Sequence, residues 1–131
     1  MDLGLAAIHH VALICSDYER SKFFYTKLLG FAVLHEHYRP DRGSYKLDLR
    51  QGSIQLELFS FPDPPSRPSE PEACGLRHLA FAVDDFDRTV RALQLRGIEL
   101  EAVRTDEFTG CRFVFFSDPD GLPIEIYERA T

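Results

Sequence analysis

Two histidines and two glutamates recur at matched places in this chain. His10 opens the run His10-Val-Ala-Leu-Ile-Cys-Ser-Asp17, and His78 opens His78-Leu-Ala-Phe-Ala-Val-Asp-Asp85. In both copies an aspartate closes the run at the same offset. Glu57 lies in Leu56-Glu57-Leu58-Phe59, and Glu125 lies in Ile124-Glu125-Ile126-Tyr127. A repeat that served the fold alone would preserve apolar positions. This one also preserves an imidazole and a carboxylate. Paired nitrogen and oxygen donors of this kind ligate a divalent cation and leave positions for water or substrate. Zinc, nickel, cobalt, manganese and iron(II) all accept such a set. Burying two carboxylates is costly unless charge compensates them, and one divalent ion does so.

A single histidine on a strand is usually a surface group, and a single glutamate on an alternating strand usually faces water. Recurrence at matched offsets argues against both readings here. Glu57 shares its strand face with Phe59, and Glu125 shares its face with Tyr127. A face carrying both carboxylate and aromatic groups suits a pocket wall. His9 adjoins His10, but strand alternation points it to the opposite face, which makes it a poor co-ligand. His35 and His37 have no counterpart in the second copy and read as surface or rim groups.

These residues need elements to hold them. Ile8 to Cys15 reads as a strand, with His10, Ala12 and Ile14 on one face and Val11, Leu13 and Cys15 on the other. Ser16 or Asp17 caps a helix over Tyr18 to Leu29, with Phe23, Phe24, Lys27 and Leu28 at helical spacing and Gly30 as the stop. Strands follow at Phe31 to His37, Ser44 to Arg50 and Ile54 to Phe61, with turns at 39–43 and at Gln51-Gly52. The second half repeats the order. It has a strand at Arg77 to Val83, a cap at Asp84 or Asp85 and a helix at Phe86 to Arg96 that stops at Gly97. Strands at Ile98 to Arg104, Cys111 to Ser117 and Leu122 to Glu128 complete it, with the turn Asp118-Pro-Asp-Gly121 before the last. Each half is therefore β-α-β-β-β, an α+β arrangement of two tandem βαβββ modules. Module one spans about 8–61, a proline-rich connector 62–76 and module two about 77–128. The bulky face of each opening strand would pack on the following helix. The histidine face carries small groups, Ala12 in one copy and Ala80 and Ala82 in the other, which leaves room for a ligand. Phe61 to Pro71 is too rich in proline for a helix or inner strand. It reads as a stiff connector, as a rim beside a pocket, or as both.

Composition bounds the rest. The 131 residues suffice for one domain, and 44% hydrophobic with 27% charged residues is ordinary for a globular protein. A net charge of -6 argues against nucleic acid or an anionic membrane as a partner. The start of the chain lacks a basic segment and a long apolar core, so no signal peptide is expected and a cytoplasmic setting is. Cys15, Cys74 and Cys111 lack paired metal spacing and read as thiols in a reducing compartment.

The chain resembles the vicinal oxygen chelate superfamily, which includes glyoxalase I, extradiol dioxygenases, methylmalonyl-CoA epimerase, and fosfomycin and bleomycin resistance proteins. Phe24-Tyr-Thr-Lys-Leu-Leu-Gly-Phe31, Arg77-His-Leu-Ala-Phe-Ala-Val-Asp84 and Asp118-Pro-Asp-Gly-Leu-Pro-Ile-Glu125 carry the likeness. It is strongest to small bacterial glyoxalase I-like proteins of YaeR type. The resemblance implies an open, cup-like mixed sheet around one divalent metal, with helices on its outer face. It assigns the metal ligands as His10, Glu57, His78 and Glu125. A fourth ligand, the acid Glu57, favours the glyoxalase branch over relatives that use two histidines and one glutamate. That branch often builds its site between subunits, which implies a homodimer. Two departures bear on substrate. Ile14 stands where glyoxalase I has an arginine for glutathione, and Glu107, in Asp106-Glu-Phe-Thr-Gly110, stands where a lysine is frequent.

The activity implied is a metal-dependent lyase or isomerase acting on a small, hemithioacetal-like carbonyl substrate through an enediolate. Glu125 would be the general base and Glu57 its symmetric partner. The competing readings are an iron(II) or manganese dioxygenase, a thiol transferase on the same scaffold, and a small-molecule-sequestering resistance protein.

Overall fold

The computed structural model describes residues 1–130. The chain divides into two compact units, with the boundary between Pro65 and Ser66. Each unit holds one four-stranded mixed sheet and one helix, so the α+β class and the tandem order stand as expected.

In the first unit, β1 is Val11–Cys15, β2 Ala32–Arg39, β3 Ser44–Gln51 and β4 Ile54–Ser60. The sheet order is β1-β4-β3-β2, with β1 parallel to β4 and the other pairs antiparallel. Leu47, Leu49, Leu56 and Leu58 are essentially inaccessible to solvent, as is Tyr25 from the helical layer. Burial of each leucine stabilises the unit by roughly 1.5–3 kcal/mol. Helix α1, Tyr18–Phe23, starts at Asp17, whose side chain accepts the backbone N–H of Arg20. From Phe24 to Leu28 the helix widens into a π-helical turn, in which the Leu29 N–H reaches the Phe24 carbonyl five residues back. Widening shifts which side chains face the sheet. Phe24 and Tyr25 are buried in succession, whereas Phe23, expected on the apolar stripe, is 56% exposed.

In the second unit, β5 is Leu79–Val83, β6 Arg104–Thr105, β7 Arg112–Ser117 and β8 Pro123–Glu128. The order β5-β8-β7-β6 repeats the first sheet. Helix α2, Phe86–Leu95, is capped by Asp85, which accepts the Arg88 N–H as Asp17 does for Arg20. Val114, Phe116, Ile124 and Ile126 form the buried sheet face beneath Phe86 and Leu93.

Three expected elements need correction. The strand expected over Ile98 to Arg104 is reduced to Arg104–Thr105, preceded by one bond from the Glu101 N–H to the Phe115 carbonyl. Its outer edge faces water, and one neighbour does not hold a continuous ladder. The opening strands begin at Val11 and Leu79, not at Ile8 and Arg77, so each site histidine stands at the mouth of its strand. The proline-rich stretch carries no helix or strand, as read. Its second part is pinned by Arg67, whose guanidinium donates to the carbonyls of Leu76 and Arg77, both at 2.8 Å.

Candidate functional site

Parallel pairing puts the chemistry of each half in the same register. Ala12 pairs with Glu57 across β1 and β4, and Ala80 pairs with Glu125 across β5 and β8. Each histidine lies two residues before its alanine, on the same face and diagonal to the glutamate. His10 Nε2 stands 3.5 Å from Glu57 Oε2, and His78 Nε2 stands 3.5 Å from Glu125 Oε1. The glutamate side chains are only 13% and 12% exposed. Ala12 and Ala80, which present only a methyl group each, are exposed beside them.

The separation has meaning for a cation. Two donors each about 2.1 Å from one ion stand about 3.0 Å apart at a right angle and about 3.4 Å apart at the tetrahedral angle. At 3.5 Å the His–Glu pairs are too long for good hydrogen bonds and suited to bracketing an ion. Donor chemistry and spacing therefore fit a divalent metal. Among the described residues, no group of three or more His, Cys, Asp and Glu side chains is gathered closely enough to hold an ion.

The surroundings of the two pairs differ. In the first unit the hairpin register sets Asp48 opposite Glu57 and Lys46 opposite Phe59. Lys46 Nζ lies 2.7 Å from Asp48 and 3.7 Å from Glu57. Its hydrogen bond to Asp48 raises the affinity of the ammonium for its proton, so the wall is a fixed ion pair beside the glutamate. His35 and His37 stand on β2 opposite Asp48 and Lys46, their rings stacked 6.1 Å apart. In the second unit, Phe115 takes the place opposite Glu125 and Phe113 the place opposite Tyr127. The His78 ring meets Phe115 edge-on at 5.1 Å. The Arg104 guanidinium lies over Phe113 at 4.9 Å, with Glu101 as a distant ion-pair partner at 4.0 Å. A groove of about 410 Å³ joins His78, Glu125, Phe113, Phe115, Arg104 and Glu72. Glu72 comes from the proline-rich stretch, so part of that connector is also a rim.

Some site neighbours were not visible in the sequence reading. Lys46 and Asp48 belong to Tyr45-Lys-Leu-Asp-Leu49, where alternation puts them opposite the buried leucines. The missing signal was register: the two-residue turn after Gln51 pairs Gln51 with Ile54, and counting back pairs Asp48 with Glu57. Arg104 was read as a strand end and not as part of the groove. His9 and His10 both precede the first paired residue of β1, and His9 Nδ1 approaches His10 Nδ1 at 2.9 Å. Ile14, on the histidine face, is 60% exposed.

Comparison with known proteins agrees with this fold. Residues 7–126 match the Glyoxalase/Bleomycin resistance protein/Dioxygenase superfamily. The chain is 61% identical over 126 residues to Uncharacterized protein YwkD of Bacillus subtilis, covering 95% of this chain and 98% of that one. It is 55% identical over 128 residues to Uncharacterized protein YaeR of Escherichia coli, covering 97% and 99%. The crystal structure of a glyoxalase family protein from Enterococcus faecalis superposes with a TM-score of 0.90 at 50% identity, covering 95% of this chain and 98% of that one. With that family match over most of the chain, relatives at 61% and 55% identity and the repeated βαβββ units, the chain belongs to the glyoxalase/bleomycin resistance/dioxygenase superfamily.

Proposed function

We propose that this protein is a divalent-metal-dependent lyase or isomerase of glyoxalase I type, acting on a small hemithioacetal-like carbonyl substrate. The observation that carries the reading is the pair of His–Glu contacts, equal in length and in register. His10, Glu57, His78 and Glu125 together hold one ion, within one chain or between two copies in a homodimer. Zinc, nickel, cobalt, manganese and iron(II) fit this donor set. Such an ion supplies Lewis acidity to neighbouring substrate oxygens.

The residues do the proton work. Glu125 takes a proton from the carbon beside the carbonyl and returns it to the carbonyl carbon, while the hydroxyl proton passes to the former carbonyl oxygen, so the product is an isomer of the substrate. Phe113 and Phe115 keep water from that side. Glu57 is the symmetric partner, and its Oε1 lies 3.7 Å from the Lys46 ammonium, which favours a holding role. Arg104, presented on aromatic rings, offers guanidinium donors to a carboxylate on the substrate. Ile14 leaves its face of β1 without a cation, which favours a substrate with fewer anionic groups than glutathione. The reaction class has precedent among more distant relatives, including Glyoxylase I 4 of Arabidopsis thaliana, at 28% identity. The working compartment is the cytoplasm, where the three cysteines remain thiols. No helix among the described residues is long and apolar enough to cross a membrane.

The test has two arms. Elemental analysis of the purified protein gives about one metal per site, and a His10→Ala, His78→Ala double variant loses it. Metal-loaded protein then turns over hemithioacetals formed with small non-glutathione thiols. Unchanged metal content in the double variant overturns the site. Silence across the thiol series overturns the reaction, and oxygen uptake with catechols after anaerobic iron loading would replace it with ring cleavage.

A further inference from the structure

We infer that His9 is a positioning residue for His10: a ring-to-ring hydrogen bond fixes the His10 imidazole so that Nε2 is the nitrogen offered to a cation. The inference rests on the reading of His10 as a metal ligand.

The two Nδ1 atoms lie 2.9 Å apart, with the ring planes nearly perpendicular at 86°. A neutral imidazole carries one donor and one acceptor nitrogen. A bond between two Nδ1 atoms therefore contains one proton. His10 Nε2 is the atom that faces Glu57. A cation on Nε2 requires the His10 proton on Nδ1, so His10 donates and His9 accepts. The proton of His9 is then on its own Nε2. Every ring nitrogen of the pair has a consistent state in this arrangement and in no other that leaves His10 Nε2 bare. Ligating histidines characteristically donate their second nitrogen to a fixed acceptor, which sets both tautomer and ring angle. Here the acceptor is the preceding residue, which can fold beside His10 because both precede the first paired residue of β1.

The second half solves the same problem by other means. Arg77 precedes His78, and its guanidinium is taken by Glu72 at 2.6 Å. The His78 ring is held edge-on by Phe115. Orientation by packing in one half and by hydrogen bonding in the other makes a selective prediction.

His9→Asn retains a polar acceptor near the place of the histidine Nδ1, whereas His9→Leu removes it. Zinc affinity is measured by chelator competition at neutral pH for both variants, with His10→Ala as the reference. Long-range ¹H–¹⁵N spectra of the metal-free proteins report the His10 tautomer. The expected result is zinc binding weakened about tenfold by His9→Leu and restored by His9→Asn, a size usual for loss of an outer partner. The His10 tautomer moves toward protonated Nε2 in His9→Leu alone. Unchanged thermal melting shows that His9→Leu folds. If His10→Ala abolishes tight zinc binding while His9→Leu alters neither affinity nor tautomer, the inference is overturned and the metal reading stands. If His10→Ala leaves zinc affinity intact, the metal reading falls and takes the inference with it.

Discussion

At the scale of single residues, Glu57 and Glu125 stand in equivalent registers with unlike neighbours. Lys46 and Asp48 crowd the first, and phenyl rings wall the second. Glu125→Gln is expected to lower turnover of the metal-loaded protein by about 10²–10⁴-fold, the usual contribution of a general base. Glu57→Gln should weaken metal retention more than the rate per bound metal. Steady-state assays normalised to measured metal content separate the two effects, and equal losses in both variants would contradict the division of roles. The matched offsets of His10 with His78 and of Glu57 with Glu125 were legible in the sequence, whereas the nearness of each histidine to its glutamate comes from the parallel register of β1 with β4 and of β5 with β8. Lys46, Asp48 and Arg104 were not legible in the same way. Their nearness to the pairs is set by cross-strand register, which spacing within one strand does not carry.

At the scale of elements, both helices begin at an aspartate that accepts a backbone N–H three residues on. Asp17→Ala and Asp85→Ala should each cost about 1 kcal/mol, visible as a fall of a few degrees in the thermal midpoint. The place after a strand and before an apolar-spaced run narrows each cap to two candidates, Ser16 or Asp17 and Asp84 or Asp85, and the structure selects Asp17 and Asp85. The π-helical turn did not, since nothing in the local spacing of Phe23 and Phe24 announces an extra residue per turn. Its consequence is the full burial of Tyr25. Tyr25→Ala should therefore destabilise the first unit by roughly 3–5 kcal/mol, as large-to-small changes of buried aromatics do, whereas the same change at Phe23 should be nearly silent in denaturant unfolding.

Arg112 ties α2 to the sheet of its unit. It donates to Asp87 on the helix and to Glu128 on β8. The Arg112 hydrogen bonds hold the Glu128 carboxyl below the ordinary glutamate range. A carboxyl lowered in the folded state contributes stability that is present above its unfolded pKa, about 4.3, and is lost as pH falls through its folded value. Glu128→Gln should thus reduce stability at neutral pH and flatten the acid limb of the melting curve. An acid limb identical to wild type would assign that limb to other carboxylates.

At the scale of the whole molecule, the two units repeat one topology and one chemical register while the walls around each pair have diverged. The chain of 15.0 kDa is expected to run as a homodimer of about 30 kDa in light scattering. The sheet edges have a bearing on this. Strand β2 is a guarded edge, carrying His35, Glu36, His37 and Arg39 and a bulge between Val33 and His35. Strands β1 and β5 are edges of their sheets too, yet they read Val-Ala-Leu-Ile-Cys and Leu-Ala-Phe-Ala-Val, with no charge at all. Before such a strand has found its partners, its backbone N–H and C=O groups are a template for another strand. During refolding from denaturant such templates are sticky before they are covered. Yield should therefore drop as concentration rises, and a lysine at Ile14 should rescue it, much as a burr is filed from a cut edge.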